Sequence, residues 1–352
     1  MGKLAGTSAI ARIAGNLQCE LQVAIALSDL SEPKFFEAVT GTPYMKEYGE
    51  RESARRRGRK FEDNAYRYDA QALKEALAGF IGLPISDIVV RNLEDDVPGA
   101  TENTRIQRFK ITRTILRDLQ AGKAVPHILI QPQLILYTGE SLKKRIFVAP
   151  DLLVLDAQRR MYEPGDLKSF VVRENDVPAS DLERVRLQIA AAVLALRSEM
   201  QIHGGAALVT NHGLMIFSTA FGLKPHPYRR EAIDGAVHTV KCALEFLRTT
   251  SLKIEAIAKP DDPPLPLLAP ELKAHYQERC VSSCTLAEHC RARHVGTAQE
   301  LGDSAAEVFG AGTALDRLVE LLRGVTPGSD MERDLAERLR QAAARLGIQE
   351  VA

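Results

Sequence analysis

The chain has 352 residues, of which 45% are hydrophobic and 26% charged, and 46 basic residues balance 46 acidic ones. This composition is typical of a globular protein with one large domain or two modest ones, and zero net charge excludes a chain that is basic overall. No run approaches the ~18 apolar residues of a membrane span, and no apolar leader with a cleavage site opens the chain. We therefore expect a cytoplasmic, reducing setting without membrane contact. There the five cysteines are interpreted as metal ligands or buried thiols.

The first two predicted elements are helical. Residues 9–30 space their apolar residues for one helix with Cys19 in its middle. Residues 44–80 predict a long charged helix with room for one break. That helix carries the densest basic cluster of the chain: Arg51, Arg55, Arg56, Arg57, Arg59 and Lys60. The cluster is either a solvated helix face or a phosphate-binding patch, because guanidinium groups match phosphate oxygens.

The next elements predict a sheet. Residues 86–91 read as a short strand and residues 102–121 as an amphipathic helix. Residues 127–137 predict a pair of strands, or one strand bent at Pro132, and a further strand begins near residue 143. Strands that follow one another in this way favour an antiparallel meander.

The stretch 147–168 predicts two short strands joined by a polar turn. Alternation along the second strand places Asp166 and Lys168 on one face and Leu167 in the core. If the two strands pair, Asp151 lies beside Asp166. Two carboxylates there can hold a hard divalent cation, and a neighbouring lysine can stabilise negative charge. The alternative for the acidic residue and lysine is an ordinary solvated strand face.

The rest of the chain is mainly helical. A helix is predicted over 181–200, with Arg184 and Gln188 four residues apart on one face. Residues 207–220 predict a hairpin that turns at 211–213, and residues 228–249 a further helix. A proline-rich connector, 259–270, leads to Cys280, Cys284 and Cys290, which fall within eleven residues. Two charged helices, around 304–323 and 330–346, end the chain.

The order of these motifs resembles the RecB-like branch of the PD-(D/E)XK nuclease superfamily. The motifs are, in order, Cys19, Gly58-x3-Glu62, Asp151, Asp166-x-Lys168, Gln188 and the three late cysteines. The pattern is similar to that of iron–sulfur members: CRISPR adaptation nucleases, AddB-type subunits and the exonuclease V family. The resemblance covers about residues 10–295. It implies an α/β nuclease core with a mixed sheet flanked by helices. It also implies a domain over 1–295 whose ends the cysteine cluster joins, and a helical appendage over 296–352.

The resemblance also implies an active site. Glu62, Asp151, Asp166 and the backbone carbonyl of Leu167 would hold Mg²⁺ or Mn²⁺. Lys168 would orient water or stabilise the transition state, and Gln188 would fix the lysine or the phosphate. One departure is Ala192, which stands where the family pattern often has a tyrosine. The implied reaction is hydrolysis of DNA phosphodiester bonds, with single-stranded ends as the expected substrate, in DNA repair, CRISPR adaptation or phage defence.

A second implied site is a [4Fe–4S] cluster on Cys19, Cys280, Cys284 and Cys290. The gap Cys280-x3-Cys284 departs from the usual two intervening residues. Zinc is the rival metal, held by the three late cysteines with Cys19 or His289. Two other functions stay open: a nucleic-acid-binding module that does not cut, and a zinc-stabilised scaffold within a larger complex. The C-terminal helices could contact a protein partner.

Overall fold

A computed structural model of the chain describes residues 6–45, 52–136, 146–171, 179–202, 204, 209–219, 223–226, 228–258, 265–277, 279–294 and 296–345. The chain divides into two compact units. The first comprises Met1–Gly41 with Glu50–Lys273, and the second comprises Thr42–Gly49 with Ala274–Ala352. The predicted boundary after residue 295 divides the same chain differently and stays a prediction.

The first unit is an α/β structure. Its described helices are α1 (Thr7–Gly15), α2 (Glu20–Leu27), α3 (Glu32–Thr40), α4 (Glu52–Ile81), α5 (Leu93–Asp96), α6 (Glu102–Gln120), α7 (Ala179–Ile202) and α8 (Asp234–Ile257). Its described strands are β1 (Val90–Asn92), β2 (Ile128–Ile130), β3 (Leu134–Leu136), β4 (Ile146–Val148), β5 (Leu152–Asp156), β6 (Met161–Val171), β7 (His212–Ser218) and β8 (Arg229–Ala232).

The central sheet is mixed, as predicted. Its strand order is β1-β2-β5-β6-β7-β8, while β3 and β4 form a separate antiparallel pair. The pair β1–β2 is parallel, so the predicted antiparallel meander is wrong for these two strands, and the pair β6–β7 is parallel as well. The predicted hairpin over 207–220 is also wrong, because 212–218 is one strand of the sheet. The chain returns from β6 to β7 through α7, the kind of crossover that parallel neighbours require.

Helices cover both faces of this sheet. On one face, Phe61, Leu73 and Leu77 of α4 are fully buried against apolar residues of the strands, including Leu152 and Leu167. The apolar positions of α4 recur three or four residues apart, which gives the helix one core-facing stripe. Helix α7 contacts β6 and β7 as well as α1 and α8. The sheet is therefore a rigid layer between helices, and its strand ends can hold polar groups in fixed positions.

Several predicted elements are divided in the structure. The single helix over 9–30 is wrong: α1 ends at Gly15, and Cys19 is the residue that precedes α2. Glycine and asparagine at positions 15 and 16 are weak helix formers, which explains the break. Helix α3 was missed, because Pro33 begins a helix there instead of ending one. The first strand of the central stretch is split into β4 and β5 at Pro150, which has no N–H to donate.

The long charged helix breaks once, as predicted. In α4 the residues Tyr68, Asp69 and Ala70 have positive φ angles of 54°, 57° and 54°. The left-handed region is unfavourable for residues with a Cβ. Burial of Ala70 in the core and an ion pair between Asp69 and Lys74 hold the turn.

The second unit is helical in its described part. It contains α9 (Cys280–Ser283), α10 (Ala287–His294), α11 (Asp303–Phe309), α12 (Leu315–Leu322) and α13 (Asp330–Arg345). The helix predicted over 304–323 is two helices, interrupted by Gly310 and Gly312. A small core joins α12 and α13 through Leu318, Leu321 and Leu335. Among the residues described in either unit, no helix has the length and apolarity needed to cross a membrane.

Candidate active site

The two acidic residues of the central stretch come together at the end of the β5–β6 pair, as predicted. Leu152 pairs with Gly165, so Asp151 and Asp166 are the next residues along the two antiparallel strands. The Asp151 carboxylate accepts a hydrogen bond of 2.7 Å from the backbone N–H of Leu167. Leu167 itself belongs to the core beneath α4. The same strand thus anchors its apolar residue and presents its polar neighbours on the opposite face.

The Lys168 ammonium lies among oxygen atoms from three residues. Its Nζ is 2.8 Å from both carboxylate oxygens of Asp166, 3.4 Å from the Leu167 carbonyl oxygen and 3.9 Å from Asp151 Oδ2. Only Oδ1 of Asp166 accepts a hydrogen bond from it with good geometry. Oδ2 of Asp166 is buried and has no hydrogen-bond partner among the described residues. A cation therefore already occupies the space among the oxygens that the resemblance assigns to a metal.

Glu62 reaches this cluster from α4. Its position is fixed by the neighbouring Phe61, whose side chain is fully buried in the sheet core. Burial and, to a smaller degree, the negative charge of Asp151 together raise the pKa of Glu62 to about 7, while Lys168 opposes the shift. The charges of Asp151 and Lys168 thus both act on the Glu62 carboxyl.

The charges of Asp166 and Lys168 depend on each other. Burial raises the pKa of Asp166, Lys168 opposes this shift, and Asp151 adds to it. For Lys168, burial acts to lower the pKa, but the carboxylates of Asp166 and Asp151 outweigh it and raise the pKa. The lysine therefore stays charged. The two carboxylates can be ionised together only when a positive charge, such as the ammonium of Lys168, lies beside them.

No three side chains of His, Cys, Asp and Glu stand ready to hold a metal ion anywhere in the described parts of the chain. At the carboxylates, the ammonium of Lys168 lies among the oxygens. The donor chemistry suits Mg²⁺ or Mn²⁺, because hard cations prefer carboxylate and carbonyl oxygens. The unsatisfied Oδ2 of Asp166 is one oxygen that such an ion would use.

Helix α7 contributes two polar side chains to this side of the sheet. The positive charge of Arg184 opposes the rise in the pKa of Lys168, but its effect is smaller than that of the carboxylates. One turn later, Gln188 donates a weak hydrogen bond of 3.4 Å to Ser8 Oγ of α1. Its Oε1 is buried without a partner in the described parts of the chain. Gln188 thus makes its one described hydrogen bond to α1 and none to Asp166 or Lys168.

Sequence reasoning missed two residues of the site, Tyr66 and Gln131. The Tyr66 hydroxyl is buried, and burial followed by the charges of Asp151 and Glu62 raises its pKa. Gln131 has a left-handed backbone with φ of 53°, and its N–H donates to the carbonyl of Asp151 at 2.9 Å. The available signal for Tyr66 was its place four residues after Glu62 on one helix face. Nothing in the sequence pattern marks Gln131.

The predicted basic cluster lies on α4 just before Glu62. Arg56, Arg57, Arg59 and Lys60 are exposed. Arg51 and the side chain of Arg55 lie outside the described part of the chain. These exposed residues are all positively charged and lie on the helix that carries Glu62. Such a surface can attract a polyanion towards the carboxylates.

The four cysteines assigned to a cluster are buried. Cys19 precedes α2 in the first unit. Cys280 begins α9, Cys284 directly follows it and Cys290 lies in α10, all in the second unit. Next to Cys284, the hydroxyl of Thr285 is buried without a hydrogen-bond partner among the described residues. Cys242 lies on α8 and is half-buried.

Comparison with known proteins leaves the geometry as the main basis for a functional argument. No protein-family model matches the chain, and no curated protein matches it either.

The raised pKa of Glu62 predicts a pH-dependent stability in the absence of metal. Glu62 is protonated in the folded chain up to about pH 7 but only up to about 4.5 when unfolded. The stability from this difference is present below pH 4.5 and is lost as the pH rises through 7. With EDTA present, Glu62→Gln should therefore be about 1–2 kcal/mol more stable than the parent at pH 8 and nearly equal to it at pH 4.5.

Thermal unfolding followed by circular dichroism at the two pH values measures this difference. Glu255→Gln, an exposed glutamate on α8, is the matched control and should show no such pH dependence. A Glu62→Gln variant that is less stable than the parent at pH 8 would contradict the described burial of this carboxyl.

Proposed function

We propose that the chain is a divalent-metal-dependent deoxyribonuclease with a RecB-like PD-(D/E)XK core, which hydrolyses phosphodiester bonds and prefers single-stranded ends. The observation that supports this proposal most is the position of Lys168. Its ammonium sits among oxygens of Asp166, Leu167 and Asp151, with the Glu62 carboxyl nearby. Acidic groups that need a cation, beside a lysine on the same strand, are what metal-assisted phosphoryl transfer requires.

Glu62, Asp151, Asp166 and the Leu167 carbonyl would hold Mg²⁺ or Mn²⁺. Such an ion, when bound, lowers the pKa of a bound water and neutralises phosphate charge. The remaining work falls to the residues of the chain. The strand pairing of β5 and β6 fixes Asp151 and Asp166 before any ligand arrives, because Asp151 is held by the Leu167 N–H. Preorganised groups of this kind need no rearrangement during the reaction.

Lys168 and Arg184 form the cationic side of the site. Like charges placed side by side repel, so an anion between them is stabilised by both. Arg184 has no ion-pair partner among the described residues, which suits a guanidinium that meets a phosphate. In the proposal Lys168 stabilises negative charge on the phosphate that is attacked, Arg184 binds a neighbouring phosphate oxygen, and Gln188 orients this group from the next turn of α7.

Removal of the lysine tests this assignment. Lys168→Met keeps the apolar stem but loses the charge, so cleavage of end-labelled single-stranded DNA in Mg²⁺ should fall at least ~10²-fold, as for the loss of one electrostatic stabiliser. Asp166→Asn and Asp151→Asn should abolish cutting. DNA affinity, measured by fluorescence anisotropy in Ca²⁺, should stay within about threefold of the parent for Lys168→Met.

Lys110→Ala, an exposed lysine on α6, is the control and should cut like the parent. A Lys168→Met variant that cuts at the parental rate would refute the nuclease assignment of this strand. DNA binding by a parent that never cuts would favour a module that only binds nucleic acid.

The exposed basic residues of α4 would contact the phosphate backbone in this proposal. Reversal of two charges, Arg56→Glu with Arg59→Glu, should weaken binding of all DNA sequences to a similar degree. The slope of log affinity against log salt should become shallower by about 1.4 for single strands, since each lost phosphate contact removes about 0.7.

A matched reversal on α6, Lys110→Glu with Arg117→Glu, changes net charge equally on an exposed surface away from α4. Equal salt slopes for the two double variants would show that the basic cluster of α4 is only a solvated helix face.

We also propose that Cys19, Cys280, Cys284 and Cys290 hold a [4Fe–4S] cluster. The four thiols are buried, and thiolates are the ligands that hold iron–sulfur clusters in proteins.

Anaerobic purification tests the cluster. The parent should be brown, with broad absorbance near ~400 nm, and change of any one of the four cysteines to alanine should bleach the protein and lower its thermal stability. Cys242→Ala is the control and should keep the colour. A colourless parent with one zinc per chain would overturn the iron–sulfur proposal and favour a zinc-stabilised scaffold.

The setting of the proposed activity is the cytoplasm, in DNA repair, CRISPR adaptation or phage defence. The second unit presents the charged helices α12 and α13, whose shared core leaves Val319 and Met331 exposed. In this proposal they form an appendage that could contact a protein partner.

A further inference from the structure

Tyr66 stands at the carboxylate site with a hydroxyl that nothing in the described chain uses. It is the last residue of α4 with helical backbone angles before the left-handed turn, and it lies one helical turn after Glu62. Its ring packs against the core under α4. Its hydroxyl oxygen is buried and has no hydrogen-bond partner among the described residues. Burial of a polar group without a partner costs stability, and a phenylalanine would avoid the cost.

The surroundings of this hydroxyl indicate what it can meet. After burial, the negative charges of Asp151, Glu62 and Asp166 raise the pKa of this hydroxyl, while the side chain of Gln131 acts to lower it. A tyrosine hydroxyl among ionised carboxyl groups is a donor that keeps its proton. Asp166 Oδ1 accepts from Lys168 and Asp151 Oδ2 accepts from the Leu167 N–H, while Oδ2 of Asp166 is the oxygen assigned to a metal ion. A phosphate oxygen bound at the carboxylates can therefore serve as the acceptor for this donor.

The backbone around Tyr66 is strained on both sides of the site. Directly after Arg67, three consecutive residues that are not glycine take left-handed backbone angles. Gln131 also has a left-handed backbone. Gln131 is tied to the Asp151 carbonyl through its N–H. Strained backbone of this kind persists only where the surrounding structure enforces it, and it concentrates at functional sites. Here the strain fixes Tyr66 and its neighbour Gln131 at the carboxylates.

We propose that Tyr66 is a catalytic residue, whose hydroxyl donates a hydrogen bond to a phosphate oxygen that gains negative charge as the phosphodiester is attacked. The inference rests on the proposed nuclease function. The hydrogen-bond donor would then come from α4. Helix α7 offers no such hydroxyl at position 192, where this chain has an alanine. A donor that acts on charge developed in the transition state lowers the barrier without tighter binding of the substrate.

The test is Tyr66→Phe, which removes one oxygen and keeps the ring. For single-stranded DNA in Mg²⁺, we expect kcat to fall about 10²-fold with KM and the DNA dissociation constant unchanged. Mn²⁺ binding, followed by electron paramagnetic resonance of the unbound ion, should equal that of the parent. The thermal midpoint should be equal to or above the parental value, since an unsatisfied buried hydroxyl is lost. The control is Tyr68→Phe, because the side chain of Tyr68 is 88% exposed, and this variant should match the parent.

Each outcome decides between defined alternatives. A Tyr66→Phe variant that cuts at the parental rate would show that the ring only packs, and the nuclease proposal would stand. A rise in KM at constant kcat, a loss of Mn²⁺ binding or a lower thermal midpoint would also overturn the catalytic role. A parent that cuts neither single-stranded nor duplex DNA would overturn the nuclease proposal, and this inference with it.

Discussion

The ammonium group of Lys168, held among the oxygens of Asp166, Leu167 and Asp151, is the interaction on which the site depends. Carboxylates buried together repel unless a cation lies between them. The sheet enforces their approach, because the register of β5 and β6 puts Asp151 next to Asp166. Glu62 on α4 adds a third carboxyl, whose pKa is raised chiefly by burial and then by the negative charge of Asp151. The fold thus gathers acidic groups at one strand end, where the ammonium of Lys168 offsets their repulsion.

The rest of the first unit holds this arrangement in place. Leu167 is buried beneath α4, so β6 cannot rotate Asp166 and Lys168 away from the site. Farther along β6, the fully buried Glu163 accepts two hydrogen bonds from Arg230 of β8, across the intervening β7. Such a paired buried charge resists rearrangement, since either partner alone would be costly. Rigid strands with a polar end are a suitable scaffold for positioning a reacting phosphate.

The sequence was sufficient for the parts of the site that depend on local alternation. The period of two along 166–168 predicts which residues share a face, and the pairing of the two strands follows from the short turn between them. The sequence was insufficient where contacts between residues far apart in the chain determine the structure. The strand 212–218 looks like half of a hairpin, but α7 carries it to the far side of β6 as a parallel neighbour. Gln131 enters the site through a left-handed backbone that only the Asp151 carbonyl explains. Pro150, by contrast, could have been recognised as a strand break.

Titration with Mn²⁺ tests most directly whether Lys168 holds the place of a metal ion. Electron paramagnetic resonance counts the unbound ion for the parent, Asp166→Asn and Lys168→Met. Removal of a carboxylate should abolish binding, because hard cations depend on charged oxygen ligands. Removal of the competing ammonium should leave Mn²⁺ affinity equal to or higher than that of the parent. These opposite responses are the predicted result, whereas equal Mn²⁺ binding by all three proteins would contradict the account.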